Sequence, residues 1–278
     1  FVRDLAIPGL PMLHDSNPHI ARAIAYHMAL LDGQWPPMWA KEVLGGIGSP
    51  VLMLNYQLPY LLGELWHRLG LSFFDSYKLS LALSLLASGL LMYLALRDRV
   101  GKVGAWVGAL LYSLAPYRMV DIFVRGALGE SLSFIFPPLL LLGFGRHSYP
   151  LLVIGWAGLF LTHPVAAALF SAFFLGHMII NKTSWREFVV PYVVALLIAS
   201  FNLLPTSTYT RHTYYSPALS DTMLMFPTLA QLISSPWGYG VSLPGTNDGM
   251  SFELGVVQWV ILLWFGAKVI RRFNNERG

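Results

Sequence analysis

The chain has 278 residues, of which 55% are hydrophobic and only 12% are charged, and its mean hydropathy is +0.57. Soluble globular domains carry about 25% charged residues, so this composition argues against a soluble enzyme and against a disordered chain. The net charge of +4 does not indicate nucleic-acid binding, because the basic residues lie mostly in short segments between apolar runs. The absence of cysteine excludes disulfides, thiolate metal sites and cysteine nucleophiles.

The first 73 residues are predicted to form a segment on the outer side of the membrane that contains interfacial helices. The chain begins at Phe1 with what resembles the tail of an apolar segment, so we expect a fragment whose first span is missing. Asn17 is the expected N-cap of a helix over Ile20–Asp32, with Pro18 at the first helical position. About 13 residues are too few to cross a bilayer. We therefore expect this helix to lie flat on the membrane surface.

Seven later stretches are apolar enough to be membrane spans, which predicts an all-α polytopic bundle. Residues 74–204 would form a membrane core of six helices, residues 205–253 an outer loop, and residues 254–278 a last span with a basic cytoplasmic tail. The seven stretches are Leu79–Leu96, Val103–Tyr117, Ser131–Gly145, two in residues 147–181 with a break at Thr162–His163–Pro164, Phe188–Thr210 and Leu254–Ala267.

The distribution of Lys and Arg predicts the orientation of this bundle. If the turn at Arg97–Lys102 is cytoplasmic, the turns on that side and the tail hold ten of the 18 basic residues. Cytoplasmic segments of membrane proteins carry such an excess. The sequence therefore predicts a multi-pass protein of the plasma (inner) membrane, with residues 1–73 and 205–253 outside the cytoplasm.

The densest polar stretch between two spans carries Arg118, Asp121 and Arg125, spaced as on one face of a helix, and is followed by Glu130. Two guanidinium groups here could hold a phosphate, since the Arg fork matches such oxygens. The alternative is a self-neutralising cluster of two Arg and two acids, and the sequence does not decide between the two.

Three further sites are candidates on weaker patterns. His163 lies at a helix junction, where a lone His is more often structural than catalytic. His14, Asp15 and His19 could form part of a divalent-metal site, although their spacing matches no standard ligand motif. Arg211 lies in the aromatic-rich segment after residue 205, whose composition suits a sugar-binding cleft or an ordinary interfacial loop.

Taken together, the motifs resemble a known family. Their order is His-Asp-Ser, a flat helix, a Gly/Pro/Trp loop, Ala-Pro-Tyr-Arg…Asp…Arg-Gly-Ala…Glu, Thr-His-Pro, Leu-Leu-Pro and Pro-Trp-Gly-Tyr-Gly. This order resembles polytopic membrane proteins of the GT-C glycosyltransferase superfamily, in particular bacterial 6-pyruvoyl-tetrahydropterin synthase-related membrane proteins. The resemblance extends from His14 to about Glu253. The chain is shorter than full members of the family, which usually carry more spans and often a soluble outer domain.

The resemblance implies an enzyme that transfers a sugar from a polyprenyl-phosphate donor, a membrane lipid, on the extracytoplasmic face. In such enzymes an acid in the first outer loop is the catalytic base, and Asp15 is the matching position. Arg118, Arg125 and Arg211 match the basic residues that hold the donor phosphate. His14, His19, Asp121, Glu130 and His163 complete the expected substrate-binding set.

The implied reaction is direct displacement with inversion at the anomeric carbon, for which general-base help is typically worth about 10²–10⁴ in rate. A divalent metal ion remains an open possibility, because no second acid adjoins Asp15. The alternative classes are a non-catalytic membrane protein and a transporter of lipid or polysaccharide. The donor sugar and the acceptor cannot be read from the residues.

Overall fold

A computed structural model of the protein describes residues 5–213, 226–245 and 247–275. Every regular element in these residues is helical, and the only β-type pairing among them is one isolated bridge between Ala40 and Ser49. The helices are α1 Ser16–Leu31, α2 Leu58–Arg68, α3 Phe73–Ser113, α4 Pro116–Val120, α5 Leu128–Ser133, α6 Phe136–Gly145, α7 Tyr149–Thr162, α8 Pro164–Asn181, α9 Trp185–Tyr209, α10 Leu229–Ile233 and α11 Val256–Asn275. A π-helical turn, Asp121–Arg125, follows α4 directly.

Four helical stretches are long and apolar enough to cross a membrane: α3, α5 with α6, α8, and α9 with the turn after it. Two further apolar helical stretches, α7 and the Val256–Lys268 part of α11, are shorter. Inside α3, Gly101 has φ 74° and ψ 171°, values that break the helix into two arms. The predicted turn near Arg97–Lys102 is therefore confirmed, and each of the seven predicted apolar stretches falls mainly on a helix.

The larger hydrophobic core is built around Trp156 of α7, whose side chain is fully buried. Phe174 of α8 and Phe188 of α9 contact its indole edge to face, with ring centroids 5.6 and 5.4 Å away. On the other side of α7, Gly155 lies against Leu140 of α6. These contacts hold α6, α7, α8 and α9 together, and buried aromatic pairs of this kind add about 0.5–1.5 kcal/mol each beyond their apolar area.

A second core joins the short amino-terminal helices to the bundle. It packs Ile20 of α1 against Leu81 and Leu85 of α3 and Leu128 and Leu132 of α5. Because α1 is attached here, the residues just before it are fixed at the end of the bundle where α4 and the π-helical turn lie. This packing places the candidate site.

The prediction for α1 was wrong in its start. The helix begins at Ser16, so Asp15 rather than Asn17 occupies the N-cap position, and Gly33 follows with a φ of 82°. Ile24, Met28 and Leu31 lie along one face of α1, which we call its apolar stripe, and they are exposed. The stripe is thus open to the surroundings, as a helix lying in a membrane interface would have it.

Alternate turns meet at opposite ends of the bundle. The break at Gly101, the α6–α7 turn and the α8–α9 turn lie at one end, which we call the basic end because six Lys and Arg but only two acids occur in residues 97–102, 146–148 and 182–187. The opposite end carries Asp15, the π-helical turn and His163.

Candidate functional site

Asp15 is held next to Arg125 by backbone hydrogen bonds. The N–H of His14 donates to the carbonyl of Val124 at 3.1 Å, and the N–H of Asp15 donates to the carbonyl of Arg125 at 2.8 Å. Gly126, in the left-handed region at φ 65°, ends the π-helical turn and lets the chain reverse at this point. The segment before α1 and the turn after α4 therefore form one wall.

The Asp15 carboxylate does not cap α1, although it stands at the N-cap position. It is half-buried and lies within electrostatic reach of Tyr56 and Tyr60. Burial raises the pKa of Tyr60 to about 12, Arg22 opposes this rise, and Asp15 adds to it. The Asp15 carboxylate thus lies at the N-terminus of α1 without capping it and has two phenol groups nearby. Such a carboxylate is available for proton transfer or for binding.

Arg22 is part of this group and was missed from the sequence. Its positive charge lies close enough to Tyr60 to oppose the rise in the pKa of that phenol. The signal was present, because Asp15, His19 and Arg22 are spaced i, i+4 and i+7 and therefore lie along one face of α1.

Arg125 lies at the centre of a network of acids and a phenol. Its Nη1 atom is 2.7 Å from an oxygen of Glu130, 3.0 Å from the hydroxyl of Tyr117 and 3.3 Å from an oxygen of Asp121. Tyr117 donates a short hydrogen bond to the other Glu130 oxygen. Since 28% of its side chain is exposed, Arg125 still reaches the surface.

Arg118 and Asp121 lie in the interior, with 1% and no exposure. Arg118 donates to the hydroxyl of Ser84 at 3.1 Å and stacks over the ring of Phe134 at 4.5 Å. Asp121 accepts from Ser131 at 2.7 Å, and burial, reinforced by the charge of Glu130, raises its pKa. The prediction that Arg118 faces a donor phosphate does not fit this placement, because its guanidinium is enclosed. Arg118, Asp121, Arg125 and Glu130 are paired as in the self-neutralising cluster that the sequence left as the alternative, and of the two Arg side chains Arg125 is the one that still reaches the surface.

His19 holds two helices together. Its Nε2 atom accepts a hydrogen bond from the N–H of Leu128 at 3.2 Å, and its Nδ1 atom is 3.0 Å from the hydroxyl of Tyr60. Burial, with a further contribution from Arg22, lowers the pKa of His19 to about 3. Both ring nitrogens are occupied, so the expected role of His19 in substrate binding has no free atom to serve it.

His163 caps α8. Its Nδ1 atom accepts a hydrogen bond from the N–H of Ala166 at 3.1 Å, which leaves Nε2 to carry the proton in the neutral ring. The ring lies 6.2 Å from that of Tyr56, and burial lowers its pKa while the nearby Glu130 opposes the shift. The structural interpretation of this junction His therefore has a specific hydrogen bond in its favour.

A cleft of about 610 Å³ opens beside Arg125. Its walls are His14, Tyr117 and Arg125 on one side and residues 239–242 and 250–252 on the other. The two walls are tied by His14, whose Nε2 atom lies 2.9 Å from the carbonyl oxygen of Tyr239. Asp15 does not line this cleft, but it directly follows His14, which does.

Arg211 is exposed in the turn that follows α9 and does not line the cleft. Tyr214, Tyr215 and Asp221 of the same predicted outer loop lie outside the described residues. Within the part of the chain that the structure describes, no group of three or more His, Asp or Glu is placed to hold a metal ion. The structure thus groups His14, Asp15, Arg125 and Glu130 at one wall and leaves Arg211 apart.

No protein-family model matches the chain, and neither the curated proteins nor the solved structures contain a match.

Proposed function

We propose that this chain is an integral membrane glycosyltransferase that moves a sugar from a polyprenyl-phosphate donor to an acceptor on the extracytoplasmic face. The proposal is supported chiefly by one observation: the Asp15 carboxylate does not cap its helix, and the backbone of Asp15 is bonded to Arg125, which lines the cleft. The order of motifs along the chain, which resembles the GT-C superfamily, suggests the same reaction.

In the proposed reaction, Asp15 takes the proton of an acceptor hydroxyl as that oxygen attacks the anomeric carbon of the donor sugar. The bond between this carbon and the phosphate oxygen breaks, and the polyprenyl phosphate leaves with the electron pair. The configuration at the carbon is inverted. Arg125, whose side chain is 28% exposed, would stabilise the negative charge that grows on the phosphate.

The cleft has features that suit these substrates. Tyr117, Tyr239 and Phe252 supply flat apolar faces for sugar rings. The exposed stripe of α1 and the exposed Trp35 and Trp39 after it would keep this end at the lipid boundary, from which a donor with a long isoprenoid chain has to approach.

The test is Asp15→Asn, assayed for sugar transfer in membranes with a panel of polyprenyl-phosphate hexoses and pentoses. We expect the rate to fall by about 10²–10⁴, the typical value of a general base. The matched control is Asp32→Asn at the other end of α1, where the acid forms a surface ion pair with Lys41 at 2.6 Å. Transfer by Asp15→Asn at the rate of the control would reject Asp15 as the base.

A non-catalytic membrane protein is the second candidate, and a specific observation favours it. His19, Arg118, Asp121 and His163 each make at least one hydrogen bond that joins two elements or caps a helix. If no donor in the panel is turned over by the unaltered protein, this second function is preferred.

A further inference from the structure

A second cavity lies at the basic end of the bundle, across the helices from the cleft. It occupies about 440 Å³ where three turns converge. Arg99 comes from the break in α3, and its guanidinium packs against Gly145 of α6, where a larger residue would leave no room for it. His147 of the α6–α7 turn has its Nδ1 atom 3.0 Å from a carboxylate oxygen of Glu187 in α9.

The lining of this cavity is rich in donors for anionic oxygens. Arg99, His147, His177 and Lys182 surround it, together with the hydroxyls of Thr183 and Ser184. No ion pair of Arg99 or Lys182 is found among the described residues. Glu187, the one acid in the lining, is bound through both oxygens by His147, at 3.0 and 3.1 Å. With Arg99 and Lys182 against Glu187, the fixed charge of the lining is net positive.

The backbone adds to this preference. The cavity lies at the N-terminus of α9, a helix of 25 residues, and the side chain of Ser184 does not cap it. The first N–H groups of such a helix favour negative charge. Lys182 adopts a left-handed conformation that ends α8, and the turn that follows brings the start of α9 to the cavity.

The surroundings indicate where the ligand comes from. Ile179 and Ile180 of α8 and Trp185 of α9 are exposed by 72%, 81% and 60% next to the cavity. Apolar residues of this kind at the end of membrane-crossing helices contact lipid, and Trp is enriched at the headgroup level. A phosphate bound here would have an apolar surface on one side, as the headgroup of a phospholipid requires.

We propose that this cavity is a binding site for a phosphate group, carried by an anionic membrane lipid whose acyl chains lie against the exposed face of α8. Arg99 and Lys182 provide the charge, and Thr183 and Ser184 provide hydroxyl donors. The site is independent of the proposed sugar transfer, since it lies at the other end of the bundle and shares no residue with the cleft.

The test measures binding calorimetrically on the full chain in a non-ionic detergent. The probes are dihexanoyl-phosphatidylglycerol below its micelle concentration, inorganic phosphate, and dihexanoylglycerol as a probe without phosphate. In the double variant Arg99→Gln/Lys182→Gln we expect binding of the phosphatidylglycerol to weaken about tenfold or more. The matched control, Arg97→Gln/Arg146→Gln, removes two charges at the same end outside the cavity and should bind as the unaltered protein does.

The outcomes separate the sources. Binding of the phosphatidylglycerol without comparable binding of inorganic phosphate supports the lipid headgroup, whereas equal binding of both retains the site but replaces its ligand by free phosphate. The proposal is overturned if the unaltered protein binds neither, if dihexanoylglycerol binds equally well, or if the two double variants lose affinity alike. Should the cavity variant fail to elute as a folded monodisperse species, Arg99→Gln and Lys182→Gln are judged singly by the same criterion.

Discussion

His19 shows how one buried side chain couples the stability of this protein to pH. In the folded chain its pKa is lowered from 6.5 to about 3, first by burial and then by the charge of Arg22. The unfolded chain therefore binds one more proton than the folded chain between these two values. The contribution of neutral His19 to the free energy of unfolding is complete above pH 6.5. It is lost as the pH falls towards 3, by about 1.4 kcal/mol per pH unit.

We expect His19→Gln to reduce this loss. Between pH 7.5 and 5 the unaltered protein should lose about 2 kcal/mol through His19, and a side chain that does not titrate cannot contribute it. The measurement is thermal unfolding in detergent at both pH values. The raised pKa of Asp121 makes an opposite contribution, because it lowers stability as the pH rises. This contribution is present in both the unaltered protein and His19→Gln, so it cancels when the pH-dependent change of one is subtracted from that of the other. An unchanged difference between the two pH values in His19→Gln would contradict the assignment, and the exposed His212→Gln serves as the control.

The sequence predicted part of the site, since Arg118, Asp121 and Arg125 do lie together, but it included Arg211, which lies apart, and missed Arg22. Spacing alone placed Arg118, Asp121 and Arg125 on one face, which the helical and π-helical turns produce. It could not reveal that Arg118 points inward, because that depends on Ser84 and Phe134 from other helices. Similarly, His19 looked like a possible ligand until Leu128, 109 positions later, was found donating to it.

At the scale of elements, the junction between the π-helical turn and α5 requires glycine at position 126. Its φ of 65° is unfavourable for other residues. An added Cβ would also collide with the hydroxyl of Tyr77, which donates to the Gly126 carbonyl at 2.7 Å, and would press on Leu13. The junction thus joins α3, α5 and the segment before α1.

Gly126→Ala is expected to lower the free energy of unfolding by about 2 kcal/mol or more, from left-handed strain and the lost Tyr77 hydrogen bond. Gly176→Ala is the control, because that glycine lies within α8 with open space around it, and alanine is the better helix former. Thermal unfolding of both variants in detergent provides the measurement. Equal melting temperatures would show that the junction tolerates a side chain.

Helix boundaries were partly predictable for a simple reason. Proline occupies the first position of α8 at Pro164, where a break was predicted, and it is favoured there because it lacks the N–H that would be unpaired. Pro116 starts α4 in the same way, although the predicted stretch Val103–Tyr117 ran past it. The same rule misplaced the start of α1, where Pro18 lies in the third position. The backbone hydrogen bonds of His14 and Asp15 to the π-helical turn determine where α1 begins, and no local sequence pattern indicates them.

At the scale of the whole molecule, the charge on the two ends predicts orientation across the membrane. The basic end carries six Lys and Arg against two acids in its turns, which favours the cytoplasmic side. The end with Asp15 and the exposed Trp35 would then face outward. Apolar runs and charge bias are whole-chain signals, which is why the sequence predicted the all-helical class and the alternation of turns.

The orientation can be tested with single cysteines, since the chain has none of its own. We expect a membrane-impermeant maleimide to label Ile47→Cys in intact cells, because that side chain is 81% exposed at the outer end. Arg146→Cys, at the basic end, should be labelled only after lysis. The reverse labelling pattern would show that the bundle has the opposite orientation, with the proposed transferase site on the cytoplasmic side.

The paired hydrogen bonds from His14 and Asp15 to Val124 and Arg125 also have a consequence for shortened versions of this chain. A protease that cut after Asp15 would leave every long apolar helix intact. It would, however, release the segment before α1 that is hydrogen-bonded to the π-helical turn. His14 would also release the carbonyl of Tyr239. Such a clipped protein should keep its bundle and lose the shape of the cleft.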